Sequence, residues 1–284
     1  MTALSLEREL NVSLDAAREA ARVVMDVYAT RFDVEMKDAH EPVTLADMRS
    51  NALLCERLAA AFPNDGIVAE ESVPEDAAVL AEVRARHRVW FVDPLDGTKE
   101  FVGRNGEFAV MIGLTIDGVS VLGVVALPAF GEIAVGVVGQ GAWVEASDGT
   151  RTALRVSCTA TIAECSQLLS RSHRPERLLR VSSMLNARRQ VACGSVGMKA
   201  VRIARGMDDL YVYPPAKHGA RLWDACGPEA IVRAAGGRVT DANGDAMDYR
   251  APELPLVRGM VASNGLIHDE VMLVLKAEAA LAAG

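Results

Sequence analysis

Cysteine is sparse and odd in number. Cys55, Cys158, Cys165, Cys193 and Cys226 include no Cys-x-x-Cys pair. That argues against a disulfide framework and against a zinc site, and it leaves small buried thiols in a reducing, cytoplasmic setting as the expectation. No apolar run approaches the roughly 20 residues of a membrane helix, so no integral membrane segment is expected. Loose attachment to a membrane surface stays open. The first ten residues lack the layout of a signal peptide. An excess of basic residues is also missing: the net charge is −8, which disfavours a nucleic-acid polymer as partner. There is no internal repeat and no low-complexity linker. What is present is 284 residues of 50% hydrophobic composition, enough for one large core or two modest ones.

Apolar residues Leu14, Ala17, Ala21, Val24, Met25 and Tyr28 recur at helical spacing and predict a long helix over 5–31. A second helix is expected over 44–62, stopped at Phe62-Pro63-Asn64-Asp65-Gly66. Strands are expected at 66–70 and 88–93, then three or four more between 107 and 146. Breaks at Asp117-Gly118, Pro128 to Gly131 and Gly139 to Gly141 separate these. After Asp148-Gly149 the pattern alternates, with strands near 166–170, 189–193, 208–213 and 258–263. Helices are expected near 174–186, 195–206, 224–236 and 265–281. The order implies an α/β architecture of two subdomains, 1–152 and 153–284.

Three apolar elements end in carboxylates. Arg88 to Val92 runs into Asp93-Pro94-Leu95-Asp96-Gly97-Thr98. Asp93 and Asp96 offer charged oxygens of the kind a hard divalent cation takes, and Pro94 stiffens the turn so that the Leu95 carbonyl can share the same space. Gly97 and Thr98 offer amides that suit a phosphate. Gly66 to Ala69 ends in Glu70-Glu71, and Asp224 opens the apolar helical pattern after Trp223. Each segment also has a plain reading: a turn, a solvated loop, an N-cap.

Taken together and in this order, the segments resemble the inositol monophosphatase-like family of Mg²⁺-dependent, lithium-sensitive phosphatases. The likeness is clearest over residues 40–245. It implies a layered α-β-α-β-α sandwich with two or three Mg²⁺ ions at the junction of its halves. By matching position it implies Glu70, Asp93, Asp96, Asp224 and the Leu95 carbonyl as metal ligands. Glu70, Leu95, Asp96, Gly97, Thr98, Lys199 and Asp224 are the implied substrate contacts. The segment Pro42 to Asp47 resembles the family stretch whose Asp pairs with the Thr of Asp-Gly-Thr, so Asp47, Thr98 and Glu70 are the expected catalytic residues. Thr44-x-x-Asp47 also reads as a capping box, and both roles can coexist.

Within the family, Asp96-Gly97-Thr98-Lys99-Glu100-Phe101, the downstream Asn105-Gly106-Glu107-Phe108 and Gly194 to Lys199 look like the 3′(2′),5′-bisphosphate nucleotidases. The implied substrate is 3′-phosphoadenosine 5′-phosphate, a by-product of sulfate activation, hydrolysed to AMP and phosphate by direct attack of water. An inositol-phosphate or sugar-phosphate phosphatase is the alternative, and a non-catalytic metal- and phosphate-binding regulator is a third. Lys99, Arg104, Lys199, Lys217 and Arg221 are candidate phosphate cations. Lys37 to Glu41 and Lys217 to Arg221 depart from the relatives' usual pattern, and surface positions are expected for His40 and His218. Association into a homodimer stays open.

Overall fold

A computed structural model describes residues 5–31, 34–36, 42–172 and 174–283. Helix α1 (Glu7–Tyr28) buries Leu14, Ala17, Ala20, Val24 and Val27 along one stripe. The short strands β1 (Val34–Met36) and β2 (Pro42–Thr44) pair with each other, and α2 (Leu45–Ala61) follows. Next come β3 (Gly66–Ala69), α3 (Ala77–Arg84), β4 (Arg88–Asp96) and a five-residue helix, α4 (Thr98–Val102). The meander is β5 (Ala109–Ile116), β6 (Val119–Leu127), β7 (Glu132–Val137), β8 (Gly141–Ala146) and β9 (Arg151–Leu154). The alternating part runs β10 (Ser166–Ser170), α5 (Glu176–Leu185), β11 (Arg189–Cys193), α6 (Val196–Ala204), β12 (Leu210–Tyr213) and α7 (Leu222–Ala234). It closes with β13 (Arg238–Thr240), β14 (Met260–Ser263) and α8 (His268–Ala283).

Strands β3 to β9 form a seven-stranded sheet in sequence order, parallel at β3/β4 and antiparallel elsewhere. The other sheet has the order β11-β10-β12-β14-β13. Alternation along β4 shows why its run is apolar throughout: Trp90 and Val92 pack toward α1 and α2, while Val89 and Phe91 join the core around α6 and α7. A strand buried on both faces has no polar phase. A third core lies between the five-stranded sheet and α5 and α8, through Leu169, Leu178, Val181, Val212, Val261 and Val271. The layers are therefore α1/α2, sheet, α6/α7, sheet, α5/α8, the expected five-layer sandwich. No helix among the described residues is long and apolar enough to cross a membrane.

The depth at which α7 sits on the first sheet is set by glycine. Gly113, Gly123 and Gly136 lie opposite one another across β5, β6 and β7. A Cβ at Gly123 would stand 2.1 Å from the Gly227 carbonyl oxygen, and one at Gly136 would stand 2.4 Å from the Ile231 Cα. The bare backbone of three strands thus forms a groove that receives the helix main chain.

Candidate metal and phosphate site

Two of the expected ligands share one turn because β4 is bulged there. Asp93 pairs with Met111 and Asp96 with Ala109, so the three-residue step on β4 opposes a two-residue step on β5. In an unbroken strand, side chains three apart point to opposite faces; the extra residue lets both carboxylates meet. The Pro94 carbonyl accepts from the Ser50 hydroxyl of α2 at 2.9 Å, and Asp93 Oδ1 accepts from the Leu95 amide at 3.0 Å. Gly97 follows with φ +89°, and a Cβ there would sit 2.9 Å from the Glu107 carbonyl oxygen. Glycine is required at that position. With only five residues in α4, its dipole adds little, and any phosphate contact here belongs to local amides.

Helix α7 brings Asp224 from the other half of the chain. Its Oδ2 accepts from the Arg221 amide at 2.6 Å, so it caps the helix and still faces the cavity. Carboxylate oxygens of Asp93, Asp96 and Asp224 all lie within 4.8 Å of one another. Parallel pairing of β3 with β4, Ala69 opposite Val92, places Glu70 at the same sheet end, where it lines the cavity. Burial first, then Glu70, Asp96 and Asp224, push the Asp93 carboxyl well above its ordinary range. Asp224 is raised likewise, by burial and then by Asp96. Asp96 is raised by burial, but the Ser195 hydroxyl, Lys199 and the Gly197 amide oppose the shift. A buried all-oxygen set whose members resist ionising together fits hard divalent cations, which replace mutual repulsion with attraction.

Thr98 links this cluster to Asp47. The Thr98 hydroxyl lies 3.2 Å from Asp47 Oδ1 and 3.2 Å from the Leu95 carbonyl oxygen, two acceptors for one proton. Asp47 Oδ2 accepts from both the amide and the hydroxyl of Thr44 at 2.7 Å. Capping and the Thr98 contact therefore use different oxygens of one carboxylate. Asp47 is 1% exposed, and burial raises its pKa.

The Gly194 to Lys199 segment builds the cap and first turn of α6; the sequence reading marked that segment and named Lys199, but gave Ser195 and Gly197 no individual role. Asp96 Oδ2 accepts from the Ser195 hydroxyl and, at 2.8 Å, from the Gly197 amide. Ser195 also caps α6 by accepting from the Met198 amide at 3.0 Å. A Ser before a Gly-containing helical run was the available signal, but it named no partner. Lys199 lines the cavity while 2% exposed; its ammonium donates to the Ser195 carbonyl at 3.0 Å and lies 4.9 Å from the Tyr211 ring centroid. Burial lowers its pKa, and Cys193, Asp96, Glu100 and Glu107 oppose that shift.

Glu70, Asp93, Asp96, Thr98, Ser195, Lys199 and Asp224 open on a cavity of about 730 Å³, which Asp47 reaches only through Thr98. Leu95, Gly97, Lys99, Glu100, Ser172, Arg174, Tyr213, His218 and Arg221 also line it. Arg104 and Lys217 do not. The Arg104 guanidinium instead donates to the carbonyls of Tyr28 and Thr30, tying the loop after α4 to the end of α1. His218 is exposed at the rim, and His40 with its neighbours Lys37 to Glu41 falls outside the described residues.

Comparison with known proteins bears on the family and the fold. The profile described as the inositol monophosphatase family matches residues 5–279. Over 240 residues the chain is 35% identical to the 3′(2′),5′-bisphosphate nucleotidase CysQ of Salmonella typhimurium, covering 84% of this chain and 92% of that protein. The Escherichia coli K12 protein of the same name is 34% identical over the same shares. Among solved structures, a Thermotoga maritima IMPase superimposes with a TM-score of 0.79 at 27% identity, covering 95% of this chain and 98% of that one.

Proposed function

This chain belongs to the inositol monophosphatase family, and from that premise we propose that it is a Mg²⁺-dependent 3′(2′),5′-bisphosphate nucleotidase. It converts 3′-phosphoadenosine 5′-phosphate to AMP and phosphate. The observation that carries the phosphatase reading is the meeting of Asp93, Asp96 and Asp224 within 4.8 Å, with the Thr98–Asp47 pair at their edge. The nucleotide preference is supported by the identity to the CysQ proteins.

Glu70, Asp93, Asp96, Asp224 and the Leu95 carbonyl would hold two or three Mg²⁺ ions. When bound, such ions offset phosphate charge and make water more acidic. The chain's own residues then set the direction of attack. Thr98 gives its hydroxyl proton to Asp47 Oδ1, which leaves the oxygen lone pairs facing the cavity to accept from the incoming water. Burial makes Asp47 the stronger base for that task. The helix-capping bonds from Thr44 fix its other oxygen, so Oδ1 stays aimed at Thr98. The water oxygen forms the new bond to phosphorus, its proton passing to Thr98 as Thr98's own passes to Asp47, while the ester P–O bond breaks opposite it. The leaving alkoxide takes a proton from solvent, and Asp47 returns its proton to solvent. No covalent enzyme intermediate is involved.

The IMPase likeness of the Thermotoga structure supports a second reading, an inositol- or sugar-phosphate phosphatase. Phosphate release with Mg²⁺, comparing 3′-phosphoadenosine 5′-phosphate with inositol 1-phosphate at low concentration, separates the two. Preference for the nucleotide is the expected result. Preference for the inositol ester would keep the chemistry and overturn the substrate, and no release from either would overturn both substrates and call for a broader panel of phosphate esters.

A further inference from the structure

Arg174 stands on the connection between β10 and α5, lines the cavity, and has no carboxylate partner among the described residues. Its one recorded bond is from Nε to the Ser170 carbonyl, at 2.8 Å. The arginines around it are all neutralised. Arg171 pairs with Glu107 at 2.7 Å, Arg177 with Glu278 at 3.0 Å, and Arg180 with Glu176 and Glu278 at 3.1 and 3.2 Å. The carboxylate cluster described above uses none of them. The other cations of the cavity wall are Lys99, second residue of α4, Lys199, buried beside Asp96, Glu100 and Glu107, and Arg221, whose guanidinium lies 5.5 Å from the Trp223 ring beside Asp224.

We infer that Arg174 is a specificity-determining residue that receives the second, non-reacting phosphate of a bisphosphorylated nucleotide. The inference rests on the nucleotidase reading and extends it to a residue no motif marks. The reacting phosphate belongs to the cluster at the ends of β4 and α7. A cavity of about 730 Å³ reaches from there to the β10–α5 connection, leaving room beyond one phosphoryl group for a nucleoside and its other phosphate. In a chain of net charge −8, a further dianion near an acidic wall needs a local cation. A guanidinium whose terminal nitrogens are uncommitted offers phosphate the two-point geometry that an ammonium lacks.

The test uses the full-length enzyme with Mg²⁺ and two substrates with the same leaving oxygen: 3′-phosphoadenosine 5′-phosphate, and 3′-AMP, which lacks the 5′-phosphate. Losing one charge-assisted contact in Arg174→Ala should raise KM for the bisphosphate roughly 10- to 100-fold. The same change should leave kcat, and KM for 3′-AMP, near wild type. Arg174→Lys should recover part of the loss. An unchanged KM for the bisphosphate in Arg174→Ala, or an equal rise for both substrates, overturns the inference while leaving the nucleotidase reading in place. A wild-type enzyme that does not prefer the bisphosphate over 3′-AMP overturns that reading and this inference with it.

Discussion

Replacing Gly123 by alanine tests whether the glycine groove sets the depth at which α7 carries Asp224. The added Cβ would stand 2.1 Å from the Gly227 carbonyl oxygen, 2.8 Å from its carbon and 3.0 Å from its Cα. All three are main-chain atoms, so no side chain can swing aside. Reaching an ordinary separation near 3.4 Å requires the helix to lift by roughly 1.3 Å. Overpacking of this kind costs about 1–3 kcal/mol, which for a chain of this size lowers Tm by about 2–12 °C. Asp224 lies three residues before Gly227 on the same helix and must move with it. A displacement near 1 Å at a reacting centre costs on the order of 100-fold in rate. The assay is a thermal melt with and without Mg²⁺, alongside steady-state phosphate release. The prediction is a modest fall in Tm, a smaller Mg²⁺-induced rise and a roughly 100-fold lower kcat/KM. Gly136→Ala presses on Ile231 instead, seven residues beyond Asp224, and should lower Tm similarly with a smaller loss of activity. Wild-type activity and metal response in Gly123→Ala would refute the reasoning, as would equal activity losses in the two variants.

Asp93→Asn should abolish turnover and most of the Mg²⁺-induced stabilisation, while the metal-free protein melts at or above the wild-type temperature because a buried repelling charge has gone; retained activity would sink the metal assignment. Asp47→Asn should lower kcat by about 10²–10⁴-fold, with KM and the Mg²⁺ response little changed; a change confined to KM would remove Asp47 from proton transfer. His268 is fully buried between Ser263 and Thr240, and burial brings its pKa down to about 4 from an ordinary value near 6.5. The unfolded chain takes a proton that the folded one rejects, so the stability contribution is whole above pH 6.5 and is lost as pH falls toward 4. Tm measured between pH 7 and 5 should therefore fall less steeply in His268→Gln, and an unaltered slope would show that the acid sensitivity lies elsewhere.

Much of the fold was readable wherever local chemistry decided it. Thr44 and the Phe62-Pro63 stop bracket α2, and β10 and β11 occupy 166–170 and 189–193 as their apolar patterns indicate. Elements that exist only through pairing were missed. Strands β1 and β2 are three residues each and have only one another, and β13 is three residues that join the edge of the second sheet. Helix α3, capped by Asp76, was not predicted, because its eight residues bury little apolar surface. Strand β9 follows a turn that looked like the end of the sheet, yet it pairs with β8 as far as Leu154.

The candidate site divides along the same line. Asp93, Asp96, Gly97 and Thr98 are neighbours in the chain, and their residue types alone announce oxygen ligands on a tight turn. Glu70 and Asp224 were named by their resemblance to family segments. That Asp96 is held by Ser195 and Gly197, about a hundred residues away, was not legible. Nor was the groove of Gly113, Gly123 and Gly136, in which each glycine reads alone as a weak point in a strand. By itself the sequence determined the chemistry of the ligands and most element boundaries, because those depend on residue type and on neighbours a few positions apart. The tertiary structure alone decided which oxygens face one another and at what depth, because that depends on backbones from distant segments coming into contact.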